Sequence, residues 1–302
     1  MYKLRPMTPR YSFAYGSNTD ALDWRDWCAR HGHDPAAIRP IGPGILPDTR
    51  LAFDFFSRSR GGGALNFESR LGGFIEGVVL KVSAAGWQAL DQKEGAPHAY
   101  QRRTRHIILP DGAALEAIAY QVIPERQQGF VAPPATYLNA VRRGFAAHGL
   151  HPHPLEAAAH GEEGCHHLPD VFVYGTLMQG GFWHAEAAKA GIAAITSAQA
   201  AGTLFDLGDY PALTLGAATP IQGEILTFQD IASALPILDE IEDAAPNGGN
   251  SGMYRRTIVT VTDQAGQHRR AWAYVMAPEK LKSAPIIASG DWRAHDAKKR
   301  AG

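Results

Sequence analysis

Cysteine is almost missing from this chain: Cys28 and Cys165 are the only two in 302 residues. That excludes a disulfide framework, and a reducing, cytoplasmic setting is expected. Long apolar runs are missing too. No stretch approaches the ~18 consecutive apolar residues of a membrane-spanning helix, and no apolar run follows the basic residues near the start, as a signal peptide requires. Neither sign of charge is in surplus, since 29 Lys and Arg face 30 Asp and Glu for a formal net charge of −1. No nucleic acid and no membrane is therefore expected as a partner, and the basic cluster Lys298–Arg300 is too short to alter that. A G-x-S-x-G elbow is absent, and neither cysteine lies in a recognisable Cys/His setting. A hydrolase built on a Ser or Cys nucleophile is not expected on that ground.

What the chain does have is a long repeat. FAYGSN at Phe13–Asn18 returns as FVYGTL at Phe172–Leu177. GVVLKV at Gly77–Val82 is echoed by GEILTF at Gly223–Phe228, and LDQKEG at Leu90–Gly95 by LDEIED at Leu238–Asp243. AYQRRT at Ala99–Thr104 matches MYRRTI at Met253–Ile258, and AYQV at Ala119–Val122 matches AYVM at Ala273–Met276. These landmarks keep one order, and the unit is far longer than a solenoid repeat. Two copies of one domain are expected, which the length allows.

Between the copies, His148 to Pro169 is rich in His, Pro, Gly and Glu and has no sustained period, so it reads as a solvated connector. Its histidines (His148, His151, His153, His160, His166, His167) and Cys165 fit no standard zinc spacing, and no metal site is expected there.

Each copy reads as mostly strand with a few helices. SFAY and VFVY are short apolar runs that stop at glycine, as strands do before a tight turn. FIEGVVLKV and IQGEILTF suit buried or half-buried strands, each followed by a short helical pattern. In the first copy Ser83 is the expected N-cap, with Trp87 and Leu90 on one face. Glu94 and Glu242 then fall at the last helical turn or just beyond it. Turns at Asp111–Ala113 and Asp263–Gln267 lead into further strands. The first copy adds a helical tail in which Tyr137, Val141 and Phe145 recur at four-residue spacing; the second closes with SGDW at Ser289–Trp292.

A strand ending in Tyr-Gly-Ser/Thr has two physical uses. Glycine lets the backbone turn tightly and lets a ligand approach it. The N–H groups of the turn, released from strand pairing, can converge on an anion or a developing oxyanion. Ser17, Asn18 and Thr176 add side-chain hydrogen-bonding groups. A glutamate at a helix end is ordinarily solvated, but both copies retain L-D-x-x-E although the connection that follows is longer in the second, at Ala244–Met253. Asp91 and Asp239 are retained as well and read as structural. Arg102, Arg103, Arg255 and Arg256 could pair a substrate carboxylate, yet an exposed strand face accounts for them.

Y-G-S-N followed by L-D-x-x-E-G and a Tyr-led strand resembles the γ-glutamylcyclotransferase family, over almost all of residues 8–156. VFVYGTLMQGGFWH with GDYPALT, the glutamate, GMYRR and SGDW is similar to its shorter branch of γ-glutamylamine cyclotransferases and AIG2-like proteins, over residues 170–293. The resemblance implies an α+β fold of two tandem mixed β-barrels with flanking helices. It also implies release of 5-oxoproline from a small-molecule γ-glutamyl substrate, with no metal and no organic cofactor. By transfer, Glu94 is the general acid/base of the first domain, and Tyr15, Gly16, Ser17 and Asn18 form its substrate loop. Glu242 serves the second domain, with Tyr174, Gly175, Thr176 and Leu177. Tyr100 and Tyr254 would line the pockets or be core tyrosines. Leu177 lacks the amide of Asn18, so the two sites are not expected to contact substrate alike. Two further readings follow: that the pocket deprotects a γ-glutamylated biosynthetic intermediate, and that one domain is a non-catalytic binding or scaffold module.

Overall fold

The computed structural model describes residues 10–245, 249 and 251–301. The start of the first expected domain, residues 8 and 9, and part of the loop Ala244–Met253 lie outside them. The chain forms two compact units. One comprises Leu115–His166 and the chain up to Leu109; the other runs from His167 onward and takes in Pro110–Ala114.

The first unit is built on β1 (Tyr11–Ala14), β2 (Ile38–Ser57), β3 (Gly62–Val82), β4 (Tyr100–Ile108) and β5 (Ala114–Val122), in the order β1-β5-β4-β2-β3 with β3 returning to pair β1. Its helices are α1 (Ala21–His31), α2 (Ala84–Glu94), α3 (Ala135–Ala147) and α4 (His153–Ala159), and the short β6 (His166–His167) adds to the sheet beside β3. The second repeats this plan with β7 (Asp170–Val173), β8 (Ile192–Asp206), β9 (Pro211–Phe228), β10 (Arg255–Asp263) and β11 (His268–Val275), closed in the order β10-β11-β7-β9-β8. Its helices are α5 (His184–Ala188), α6 (Ile231–Ile241) and α7 (Trp292–Ala301). In both barrels the short first strand runs parallel to the last and antiparallel to the long third strand. The α+β class and the tandem mixed barrels thus agree with the expectation. No helix among the described residues is long and apolar enough to cross a membrane.

The repeated glycines of the third strands have a steric cause. A Cβ on Gly77 would sit 2.5 Å from the Ala14 carbonyl oxygen and 2.5 Å from the Phe13 ring. One on Gly223 would sit 2.4 Å from the Val173 carbonyl oxygen and 2.6 Å from the Phe172 ring. Each glycine therefore lets the first strand and its phenylalanine lie directly on the barrel wall. Phe13 and Phe172 are fully buried there, each worth about 1.5–3 kcal/mol of apolar transfer.

Local chemistry fixes the helices that carry the two acids. Ser83 Oγ accepts from Gly86 N at 3.0 Å to start α2, and Gly95, at φ 62°, ends it. Asp230 accepts from Ala232 N at 3.0 Å to start α6. Trp87 and Leu90 are buried as expected, and so are Tyr137, Val141 and Phe145 of α3.

The connector corrects the sequence reading. Residues 153–159 are helical, and Leu150, Leu155, Ala158 and Cys165 are packed into the core of the first unit. Histidines and prolines hid this apolar spacing. Ligand atoms of Glu163, Cys165 and His167 lie within 4.8 Å of one another. Glu163, however, is ion-paired with Arg70, and burial pushes the Cys165 thiol up to about 11. Both oppose metal ligation, which needs free carboxylate and thiolate.

Candidate active site

In the first unit β1 ends at Ala14 and the chain turns through Gly16. Thr19 donates to the Gly16 carbonyl from its backbone N at 3.0 Å and from its hydroxyl at 2.7 Å. The leading N–H groups of this turn, Ser17 and Asn18, have no partner within it. Gly16 has little spare room, since a Cβ would meet the Tyr137 hydroxyl at 3.2 Å.

Glu94 closes α2 opposite this turn. Asn18 Nδ2 donates to Glu94 Oε1 at 2.6 Å, and both line a cavity of about 70 Å³ together with Tyr15, Gly16, Ser17, Arg60, Lys93, Tyr100 and Tyr137. Burial pushes the Glu94 carboxyl above its ordinary value, against the opposing pull of Lys93, the Asn18 hydrogen bond and Arg60. Every first-copy site residue expected from sequence is thus brought to one cavity.

Tyrosines form its wall. Tyr15 donates to the Tyr120 carbonyl at 2.5 Å, and Tyr100 to the Leu65 carbonyl at 2.7 Å. Both hydroxyls are spent on backbone, which makes Tyr15 and Tyr100 scaffold as well as lining. Asp91 accepts from the Tyr120 hydroxyl at 2.7 Å and from Arg102 at 2.8 Å, in keeping with a structural role.

Three charged groups escaped the sequence reading. Arg60, in the turn between β2 and β3, pairs with Asp23 of α1 at 2.8 Å and donates to Ser17 Oγ at 3.0 Å. Lys93, its side chain only 4% exposed, pairs with the same Asp23 at 2.7 Å. Burial alone would raise the Asp23 carboxyl, but hydrogen bonds from Arg60 and the charge of Lys93 hold it well below the usual carboxylate range. Nothing in the repeat pointed to Arg60 or Asp23, which have no counterpart at matching places in the second copy.

The second unit repeats the frame with different contents. Met178 N donates to the Gly175 carbonyl at 3.1 Å, as Thr19 does to Gly16. A Cβ on Gly175 would strike Pro211 Cγ at 2.7 Å. Tyr174 donates to the Tyr274 carbonyl, and Tyr254 to the Pro211 carbonyl, each at 2.7 Å. Asp239 accepts from the Tyr274 hydroxyl at 2.7 Å. Glu242 lines a cavity of about 1030 Å³ with Tyr174, Gly175, Thr176, Leu177, Tyr210, Tyr254 and the exposed Phe182 and Trp183. No described residue hydrogen-bonds its carboxyl, and burial pushes it up to about 8.

The four arginines divide. Arg102 and Arg103 are exposed as expected, Arg102 lying 4.4 Å over the Trp87 ring. Arg256 corrects the expectation: its side chain is 1% exposed, 3.5 Å from Asp239 and 5.1 Å over Trp272. Arg255 is half-buried. None of the four lines either cavity.

A family model described as gamma-glutamyl cyclotransferase, AIG2-like, matches residues 12–137 and again residues 171–294. The chain belongs to this family and carries its domain twice. No curated protein matches the chain. Among solved structures, one described as a gamma-glutamyl cyclotransferase is similar over 49% of this chain and 85% of its own, at 21% identity and a TM-score of 0.42. An AIG2-like protein from Mus musculus is similar over 41% of this chain and 88% of its own, at 28% identity and a TM-score of 0.33. YkqA from Bacillus subtilis is similar over 89% of this chain and 84% of its own, at 17% identity and a TM-score of 0.33.

Proposed function

We propose that the protein is a γ-glutamylcyclotransferase that releases 5-oxoproline from γ-glutamyl amino acids or amines, with residues 8–156 and 170–293 as its two catalytic domains. One observation carries the reading: the Asn18–Glu94 hydrogen bond ties the Tyr-Gly-Ser-Asn turn to the helix-end acid across a single cavity. Family membership supports the reaction type. Two free, buried cysteines suit the cytoplasm.

The substrate brings its own nucleophile. Its α-amine, with an unperturbed pKa near 8, must shed a proton before attack. Glu94 takes that proton, the amine nitrogen bonds to the γ-carbonyl carbon, and a five-membered ring closes. The oxyanion is held by the N–H groups of the turn at Ser17 and Asn18. Glu94 then gives that proton to the leaving nitrogen as the old amide bond breaks. The second proton still on the ring nitrogen passes to the same departing amine, which leaves as an ammonium, so the reaction balances with no other reactant. An acid that burial makes readier to hold a proton suits both halves of this transfer. Holding the glutamyl chain curled in a narrow cavity supplies the near-attack geometry, worth up to ~7–11 kcal/mol in the best intramolecular cases. Glu242 does the same in the second unit, with Gly175, Thr176 and Leu177 as its turn.

Separate Glu94→Gln and Glu242→Gln variants, assayed for 5-oxoproline release, test the assignment. Unchanged rates in both would sink it. The difference in cavity size, about 70 against about 1030 Å³, favours a second reading for the second unit alone. There the substrate is a bulkier γ-glutamylated biosynthetic intermediate, and a panel of γ-glutamyl amides ranked by leaving-group size separates the two.

A further inference from the structure

Two cations share one carboxylate beside the first cavity. Arg60 and Lys93 both pair with Asp23, and both line the cavity, whereas Asp23 does not. Lys93 is 4% and Arg60 25% exposed at the side chain, so solvent does little to screen their charge. The arginine is held firmly. Nη1 and Nη2 fork onto the two Asp23 oxygens at 2.8 and 2.9 Å, Nη2 also reaches Ser17 Oγ at 3.0 Å, and the guanidinium lies 5.1 Å from the Tyr137 ring centroid. Of its five N–H groups three are used in these bonds, which leaves Nε–H and one Nη1–H without a partner among the described residues. A preorganised guanidinium with spare donors, anchored to the substrate turn, has the chemistry of a carboxylate receptor.

The second unit sharpens the point. Strands β2 and β3 are last paired at Ser57 and Gly62, and β8 and β9 at Asp206 and Pro211. The intervening turns, 58–61 and 207–210, have equal length, and each lines its own cavity. Arg60 is the third residue of the first turn; Asp209 is the third of the second. The same hairpin tip thus brings opposite charge to the two cavities.

We infer that Arg60 binds a carboxylate of the substrate in the first unit and makes that unit selective for carboxylate-bearing γ-glutamyl compounds. The inference rests on the cyclotransferase reading given above. The carboxylate is either the glutamyl α-carboxylate or that of the departing amino acid; the chemistry at Arg60 is the same.

The full-length protein is assayed with three ligands: a γ-glutamyl amino acid, the same compound with its leaving-group carboxylate as carboxamide, and the one with its α-carboxylate as carboxamide. The unaltered protein has a KM at least ~10-fold higher for whichever carboxamide removes the Arg60 partner, as expected for the loss of a charge-assisted pair. That result also names which carboxylate it is. In Arg60→Met the penalty disappears, because KM for the intact substrate rises to the carboxamide level; Arg60→Lys restores part of it. If Arg60→Met raises all three KM values by one factor, the arginine serves only to brace Asp23 and the inference is overturned. Calorimetric titration with 5-oxoproline and with 5-oxoprolinamide repeats the α-carboxylate arm of the comparison without turnover. A protein that prefers 5-oxoproline through Arg60 but turns over no γ-glutamyl compound would refute the cyclotransferase reading and keep this one.

Discussion

At the end of α2, Glu94 meets an amide, a lysine and an arginine; at the end of α6, Glu242 meets none of these among the described residues. The two acids arise from the same L-D-x-x-E pattern at the ends of helices that each start on a side-chain cap, Ser83 in one and Asp230 in the other, and both are raised by burial. They differ because the turn opposite carries Asn18 in one copy and Leu177 in the other, and because Arg60 and Lys93 face only Glu94. The lesson is that duplication preserved the frame and released the lining. Tyrosine hydroxyls bound to backbone carbonyls, Asp91 and Asp239 holding Tyr120 and Tyr274, and the tight glycines keep the barrels alike. Hairpin tips and turn side chains differ in charge and size, Arg60 against Asp209 and Asn18 against Leu177.

The largest expected effect that tests this comparison is loss of the acid. In a Glu242→Gln background, Glu94→Gln lowers 5-oxoproline release about 10²–10⁴-fold, the usual contribution of general acid–base catalysis, while circular dichroism stays native. Steady-state assays with Glu242 intact apportion the remainder to the second unit. A drop under threefold when both acids are replaced together would mean that neither acid transfers the proton.

Next in size are the glycines that keep the frames alike. Gly77→Ala and Gly223→Ala each push a methyl into a carbonyl oxygen 2.5 or 2.4 Å away, and each destabilises its barrel by about 1–3 kcal/mol in denaturant unfolding. Similar losses in the two variants uphold the shared frame; tolerance of either breaks it.

Swapping the turn residues should move the acids. Leu177→Asn supplies Glu242 with a donor for its charged form and lowers its pKa from about 8. The pH–rate profile of the second unit, read in a Glu94→Gln background, then shifts to lower pH. Asn18→Leu, read in a Glu242→Gln background, shifts the first profile upward. Unmoved profiles would show that these residues do not set proton affinity.

The smallest effect is on stability. Glu242 titrates near 8 when folded against ~4.3 in an unfolded chain, so the folded state binds its proton more tightly. That stabilising contribution is complete below the unfolded value and is lost as pH rises through about 8. Melting temperature therefore falls between pH 5 and pH 9, and falls less in Glu242→Gln. An equal fall in both proteins would contradict an acid whose proton affinity is raised by burial.

Much of the frame was legible because it repeats. Glycines that admit a neighbouring strand, apolar runs of barrel strands, Ser83 as a cap and the acids at helix ends are local or periodic signals, and each appears twice. The helix in the connector was missed because His and Pro interrupt its apolar spacing, although Leu150, Leu155 and Ala158 are core residues. Buried Arg256 was taken for a surface residue, since a charge on a strand says nothing of the Asp239 and Trp272 that accompany it inward.

The sequence by itself determined that two related domains follow one another, that each pairs a glycine turn with a helix-end glutamate, and that the turns differ at Asn18 and Leu177. Those properties are written in residue type and spacing, which strand and helix periods convert directly into structure. Only the tertiary structure decided that Arg60 and Lys93, both paired with Asp23, join the first cavity and that Glu242 has no hydrogen-bond partner among the described residues. Such contacts join residues distant along the chain, and the closure of each barrel, not any local pattern, brings them together.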